Sequence, residues 1–383
     1  MNKKNFRNIA ATLFCLILGV VFIGNLILPD KSFSAQENRM LQEWPGVSLS
    51  KFMQGRLETK LEDYANDQFM MRNGFIKVKS AYDTTLGTLE SNGVIRAKDH
   101  YLMEDISSPN KTYMNNTLKS MKKFKQKYKN LHMYFLLAPN AANILSNKLP
   151  KTVRTADQNA YMDKFYSQIK GYGIHPVDVR PALRKAAKDP SKQIYYRTDH
   201  HWTTQGAYAA YKASEKKLKI KDDTKYKSFV VKNNFYGTLY SKSGFTNGLC
   251  DQIRLYMPKN KKDYIPSVMY YSDTKTKTTH FYELKNLKKK DAYTVFGGNN
   301  HPMYTVKTPV KPARRLLLIK DSYANSFLPF LARDFREIVV VDPRYYFGNI
   351  NNVIQSENIT DVLFLYNANT FFTDSSLSMM LGN

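Results

Sequence analysis

Residues 195–211 read YYRTDHHWTTQGAYAAY. An acid, two adjacent imidazoles and an indole occupy the four positions Asp199 to Trp202, in a chain with only seven histidines. In an extended segment, residues i and i+2 share a side. Asp199 can therefore orient His201, and an imidazole held by a carboxylate can take a proton from a hydroxyl. Two other readings stand beside this one: a metal site on Asp199, His200 and His201, or a polar turn ahead of an ordinary helix. Adjacent histidines on a strand point to opposite sides. The chain also has no H-E-x-x-H pattern and no paired cysteines, so no metal is expected. On the same alternation His200 should face away from the reacting hydroxyl. His100, His175, His280 and His301 are scattered singles with structural roles expected.

A hydroxyl to match comes late in the chain. RRLLLIKDSYANSF (314–327) puts Asp321-Ser322 where an apolar strand gives way to a helix. Free N–H groups of a first helical turn point at whatever Ser322 attacks, which makes half an oxyanion hole. The alternative is that Asp321 or Ser322 is only a helix cap. DVLFLYNANT (361–370) ends a further strand with Asn367 and Asn369. An Asn amide there can reach the oxyanion site over Ser322, or both can be turn residues. Arg344, just past another strand, can bind an anionic substrate group or stand as an ordinary surface arginine. Tyr195, Tyr196 and Trp202 offer flat faces for a sugar ring.

These residues need a frame, and hydrophobic periodicity supplies one. Apolar runs at 131–139, 174–178, 313–320, 337–343 and 361–367 read as strands. Segments 158–173, 206–218, 322–333 and 349–358 read as helices. Residues 174–183 should carry a strand into a loop. Strands alternating with helices predict a mostly parallel α/β sheet, and ligands bind at the carboxyl edge of such sheets. Upstream, 50–73 and 111–129 read as helices, the latter with a solvated Lys-rich face. Residues 94–103 read as a strand pair around Lys98-Asp99. The interval 222–312 breaks the alternation and reads as an irregular β insertion.

The N-terminus places the chain in the cell. MNKKNFRN is basic, and Ile9 to Leu28 is twenty residues without a charge. At about 1.5 Å per residue it spans roughly 30 Å, a bilayer's hydrocarbon thickness. A basic flank ahead of it keeps the N-terminus in the cytoplasm and exports the rest. A cleaved signal peptide is the alternative, but Phe33 stands three residues before a cut after Ala35, where a small residue is usual. The expected organisation is a membrane anchor at 1–28, a juxtamembrane linker at 29–50 and one catalytic domain at 51–383. Cys15 lies in the apolar run, so it cannot pair with an exported Cys250. With 58 Lys+Arg against 32 Asp+Glu, the net charge of +26 favours a polyanion. Export puts that charge against an anionic envelope surface and argues against nucleic acid.

The D-S strand end and the D-V-x-x-x-x-N-x-N strand resemble the first and third blocks of SGNH (GDSL-type) hydrolases. In those enzymes the Asp-His block follows the Ser, whereas here it precedes Ser322. That permuted order, with T-D-x-H-W at Thr198 to Trp202, is similar to the alginate O-acetyltransferase branch and its Gram-positive relatives, the DHHW family. SAQENRML (34–41), DQFMMR (67–72) and FGGNNHP (296–302) match as well. The resemblance implies a three-layer α/β/α fold and an exported O-acetyltransferase or acetylesterase. It makes Ser322 the nucleophile, His201 the base and Asp199 the orienting acid. It aligns Asn369 with the third-block Asn and leaves Gly348 as candidate for the second-block Gly. Lys320 and Asn367 stand where glycines are usual. The acyl group would come from a multipass membrane O-acyltransferase and go to a polysaccharide acceptor, with no cofactor. A non-catalytic binder of anionic wall polymers is the remaining alternative.

Overall fold

The computed structural model describes residues 3–34, 39–46, 56–245, 248–311 and 313–382. The chain divides into two compact units, Met1–Ser91 with Ser241–Phe245, and Asn92–Tyr240 with Thr246–Asn383. The first division falls after Ser91.

The first unit begins with helix α1 (Lys3–Ile27), whose stretch Arg7–Ile27 is long and apolar enough to cross a membrane. The helix expected at 50–73 is two, Arg56–Gln68 and Arg72–Thr85. They break where Met71 takes a left-handed backbone, φ 56°. Residues 50–55, and 35–38 of the SAQENRML stretch, lie outside the described residues. The described part of the expected linker is bonded rather than free. The Tyr64 hydroxyl donates to Asp30 Oδ1 at 2.9 Å, and the Gln42 N–H donates to Asp67 Oδ2 at 2.8 Å.

The second unit is built on an eight-stranded sheet. Its strands are β1 (His132–Ala138), β2 (His175–Pro176), β3 (Val268–Tyr271), β4 (Thr276–Thr278), β5 (Met303–Lys307), β6 (Arg315–Lys320), β7 (Glu337–Val341) and β8 (Asp361–Asn367). Their order across the sheet is β4-β3-β5-β7-β6-β8-β1-β2. The five from β7 to β2 are parallel, and the three on the other edge are antiparallel. Those three come from the expected insertion, which is thus part of the sheet. Strands buried on both faces read as continuous apolar runs, as RLLLIK and EIVVV do.

Alternate residues feed two cores. Leu316, Leu318, Leu363 and Leu365 pack with Ala207, Ala210 and Tyr211 of helix Thr204–Leu218. Leu317, Ile319, Val362 and Phe364 face the other way, towards Leu118 and Phe124 of helix Lys111–Lys127 and Phe165 of Gln158–Gly171. This is a three-layer α/β/α arrangement. Residues 94–104 form the expected hairpin, Val94–Arg96 with Leu102–Glu104, and Asp99 and His100 have positive φ in its turn. One helix escapes the sequence pattern: Arg180–Ala187 stands where a loop was expected. Pro181 sits in its first turn, where a missing N–H is harmless. The remainder of the insertion carries a bulged antiparallel pair, Tyr226–Phe235 with Asp251–Pro258. A small third core forms from Tyr196, Phe235, Ile253, Tyr293 and Phe296.

Candidate active site

Ser322 follows β6, the strand flanked by β7 and β8 within the parallel set. The expected long helix after it is a 3-10 turn, Ser322–Ser326, then a short helix, Leu328–Leu331. The two readings of the D-S pair divide between its residues. Asp321 is the cap: its Oδ1 accepts from the Tyr323 N–H at 2.9 Å, and its Oδ2 from the Asn367 N–H at 2.7 Å. Ser322 is left half-buried, with its hydroxyl turned to His201.

Three side chains meet there. His201 Nε2 lies 2.7 Å from Ser322 Oγ, and His201 Nδ1 lies 2.6 Å from Asp199 Oδ1. Strand alternation is not what joins Asp199 to His201. The segment folds back on itself through an isolated bridge between Tyr195 and Trp202. Asp199 Oδ1 also accepts the His201 backbone N–H at 3.0 Å, a short Asx turn. The same turn corrects the expectation for His200. Its ring does not point away but lies beside the His201 ring, centroids 3.9 Å apart, with Nδ1 2.7 Å from the Thr238 hydroxyl.

Residues far along the chain complete the shell. Asp199 Oδ2 accepts from the Thr238 N–H at 2.9 Å and the Thr238 hydroxyl at 3.1 Å. Gly237 permits that approach, since a Cβ there would collide with Asp199. Tyr293, from the insertion, stacks on His201 with centroids 3.7 Å apart and 11° between planes. Its hydroxyl donates to the Ser322 carbonyl at 3.1 Å. Asp251 Oδ2 accepts from the Thr198 N–H at 2.8 Å and the Thr198 hydroxyl at 2.6 Å, which holds the turn from behind. Thr238 and Tyr293 lack any local sequence signal. Only the Phe-Tyr-Gly-Thr stretch at 235–238, with its single glycine, hints at a close approach.

The charges are set by burial and by neighbours. Burial alone would raise the Asp199 carboxyl, yet the His201 and His200 rings and its hydrogen bonds hold it well below the usual carboxylate range. His201 is pushed down to about 4, first by burial and then by the charge of His200, against the pull of Asp199. A neutral imidazole with its Nδ1 proton on a carboxylate has Nε2 free to accept a proton. Asp321 is raised to about 6 by burial, with the Arg344 charge opposing.

The other expected residues fall differently. Tyr195 and Trp202 have no exposed surface and offer no face to a sugar. They are packing instead: the Tyr195 hydroxyl donates to the Pro139 carbonyl at 2.6 Å, and Trp202 Nε1 donates to the Tyr323 carbonyl at 2.9 Å. Tyr196 is equally buried. Arg344 forms a two-point pair with Asp342, Nε to Oδ1 at 2.9 Å and Nη2 to Oδ2 at 2.7 Å, rather than an open anion site. Both amide donors of Asn369 are engaged, with Glu104 Oε2 at 3.1 Å and the Asp105 carbonyl at 2.7 Å, so neither is free for an oxyanion. Gly348 is exposed beside Tyr346, with no contact to Ser322 among the described residues. Asn367 caps the helix Ala368–Thr373, the turn role foreseen for it. The Tyr323 and Ala324 N–H groups bond to Asp321, and the Ser322 N–H stands at the head of the turn.

Ligand atoms of Asp199, His200 and His201 lie within 4.8 Å of one another, close enough for one metal ion. Three of the four ring nitrogens have partners: both of His201, with Asp199 and Ser322, and His200 Nδ1, with Thr238. A cavity of about 450 Å³ lies elsewhere, walled by Tyr226, Tyr256, Phe281, Tyr282 and Phe330, and none of the three catalytic candidates lines it.

Residues 96–260, under half of the chain, match the family described as SGNH hydrolase-like domain, acetyltransferase AlgX. The match includes Asp199 and His201 and stops short of Ser322. A DHHW family protein from Eubacterium siraeum DSM 15702 superposes with a TM-score of 0.63 at 23% identity, over 76% of this chain and 95% of that one. Bacillus cereus PatB1, in a structure with a sulfonyl adduct, gives a TM-score of 0.59 at 20% identity, over 74% of this chain and 98% of its own. At these identities the likeness speaks for the fold. No curated protein matches the chain by sequence.

Proposed function

The chain carries an SGNH hydrolase-like domain of the acetyltransferase AlgX kind, and from that premise we propose that it transfers O-acetyl groups to a cell-envelope or secreted polysaccharide through an acyl-enzyme on Ser322. The observation that carries the reading is the continuous chain Asp199 Oδ1, His201 Nδ1, His201 Nε2, Ser322 Oγ, with links of 2.6 and 2.7 Å. In the first half-reaction Ser322 Oγ attacks the donor's acyl carbon while His201 Nε2 takes the hydroxyl proton. The tetrahedral oxyanion collapses against the Ser322 N–H, and the leaving group departs with the proton from His201. In the second, His201 removes a proton from an acceptor hydroxyl, which attacks the acyl-Ser322 ester. The proton returns to Ser322 Oγ and frees it.

The apolar N-terminal helix supports an extracytoplasmic site tethered to the membrane, with a secreted form as the alternative. A multipass O-acyltransferase is then the donor, and the net charge of +26 suits an anionic envelope. No cofactor or metal enters the cycle. An acetylesterase would use the same acyl-enzyme and differ only in admitting water.

Intact-protein mass spectrometry with an activated acetyl ester tests the reading. The expected result is one acetyl on Ser322 that candidate glycans remove faster than water does. No adduct on Ser322, from the acetyl donor or from a sulfonyl fluoride, would sink it.

The pH profile follows from His201. It must be neutral to act as base, and it is held near 4. Activity should therefore persist below the ordinary histidine range of about 6.5 and fall as pH drops through about 4. His200→Ala removes a neighbouring cation, so the acid limb should move to higher pH. A limb at the ordinary value in the parent, unmoved in His200→Ala, contradicts this account.

A further inference from the structure

Helix Arg72–Thr85 has two unlike sides. One packs on the 241–245 segment of its own unit. A Cβ on Gly244 would meet the Ile76 carbonyl at 2.9 Å and Ser80 Cβ at 3.0 Å, and Ser80 is buried. The other carries Met71, Phe75, Val78, Tyr82 and Leu86, all exposed, Val78 by 70%. Steps of three and four residues keep these five on one stripe. Large apolar side chains gathered this way on a solvated helix mark a contact surface.

The contacts of Met70, two residues ahead of the helix, indicate what covers the stripe. The Met70 N–H donates to Asn25 Oδ1 at 2.6 Å. A Cβ on Gly24 would collide with the Met70 sulfur. Gly24 and Asn25 lie in the last turn of the apolar stretch Arg7–Ile27, the end at which a membrane's hydrocarbon gives way to headgroups. The helix thus starts at that level. Its sequence, RNGFIKVKSAYDTT, has three basic residues and one acid, Asp83, which pairs with Lys79 at 2.5 Å. An apolar stripe flanked by basic residues is the chemistry of a helix lying in an anionic lipid surface.

We propose that helix Arg72–Thr85 is an interfacial helix, with the stripe from Met71 to Leu86 seated in the headgroup region of the membrane that α1 crosses. The proposal rests on α1 being retained as an anchor. It makes the attachment two-point and binds the chain beside α1 to the lipid surface.

Fluorophore labelling of the full chain in phosphatidylcholine–phosphatidylglycerol vesicles tests this. In a Cys15→Ala, Cys250→Ser background, single labels go on Val78→Cys, on Tyr82→Cys as a second stripe position, on Ile17→Cys in α1 and on Lys275→Cys as an aqueous control. The expected result is that a lipid-borne nitroxide removes most of the emission at 17, 78 and 82. Iodide in the buffer should quench 78 and 82 several-fold less than 275. If 17 responds to lipid while 78 and 82 respond to iodide as 275 does, the proposal is overturned and the anchor stands. If 17 itself ignores lipid, the anchor reading fails and the proposal with it. Shielding of 78 and 82 from both quenchers means that protein, such as a second copy, covers the stripe, and this also overturns it.

Discussion

Ser322→Ala and His201→Ala each lower acyl transfer by about 10⁴- to 10⁶-fold, and the double variant loses no more than either single one. The non-additivity is the diagnostic part. Ser322 Oγ and His201 Nε2 share one hydrogen bond of 2.7 Å and act only as a unit. Asp199→Ala falls less far, by about 10⁴-fold, because it orients and stabilises the imidazole without touching the acyl group. Steady-state rates on an activated acetyl ester, with circular dichroism to show an intact fold, measure all four. Effects that simply multiply would mean that the two residues serve separate steps. Transfer retained in Ser322→Ala would remove the acyl-enzyme altogether.

Asp342→Asn lowers the melting temperature by on the order of 10 °C, a loss of about 3–5 kcal/mol. Asp342 is fully buried and faces two cations. Lys320 Nζ, itself buried, lies 3.3 Å from Oδ2, and Arg344 holds both carboxylate oxygens. Burial by itself would raise the Asp342 carboxyl, but Lys320 and Arg344 hold it below its ordinary range. Without that charge the Lys320 ammonium is stranded in the core. Adding Lys320→Met should recover most of the loss, since the uncompensated charge goes with it. Thermal melts of the single and double variants read this directly. A melt within a degree or two of the parent for Asp342→Asn would show that water reaches Lys320.

The sequence carried the reacting side chains because their placement is local. A serine after an apolar run marks the end of β6 whatever the rest of the fold does. Asp199 and His201 sit two apart, and a two-residue separation brings side chains together in a strand or in an Asx turn. Strand alternation and the Asx turn agree about that pair but differ at His200, whose ring lies beside His201 instead of opposite it. Trp202 and Tyr195 illustrate a different limit. An aromatic next to a reactive group looks the same in sequence whether it stacks on a substrate or fills the core. Here Trp202 gives its indole N–H to the turn that carries Ser322. Thr238, Asp251 and Tyr293 were illegible because each comes from an insertion whose course is fixed only by the completed sheet. The same holds for β3, β4 and β5, which sequence shows as irregular β and which join the sheet through the pairing of β5 with β7.

Ser322 and the ring stacked on His201 stand on unlike supports. Ser322 ends β6, which is hydrogen-bonded along both sides by β7 and β8. Tyr293 sits in a single 3-10 turn, Ala292–Val295. Central strands exchange their amide protons last and isolated turns first. The two walls of one site are therefore anchored differently: Ser322 by backbone ladders on both sides of its strand, Tyr293 by its own side chain, through the stack on His201, the bond to the Ser322 carbonyl and the third core. Loss of the Tyr293 ring should therefore uncover the face of His201 while leaving in place the strand that ends at Ser322.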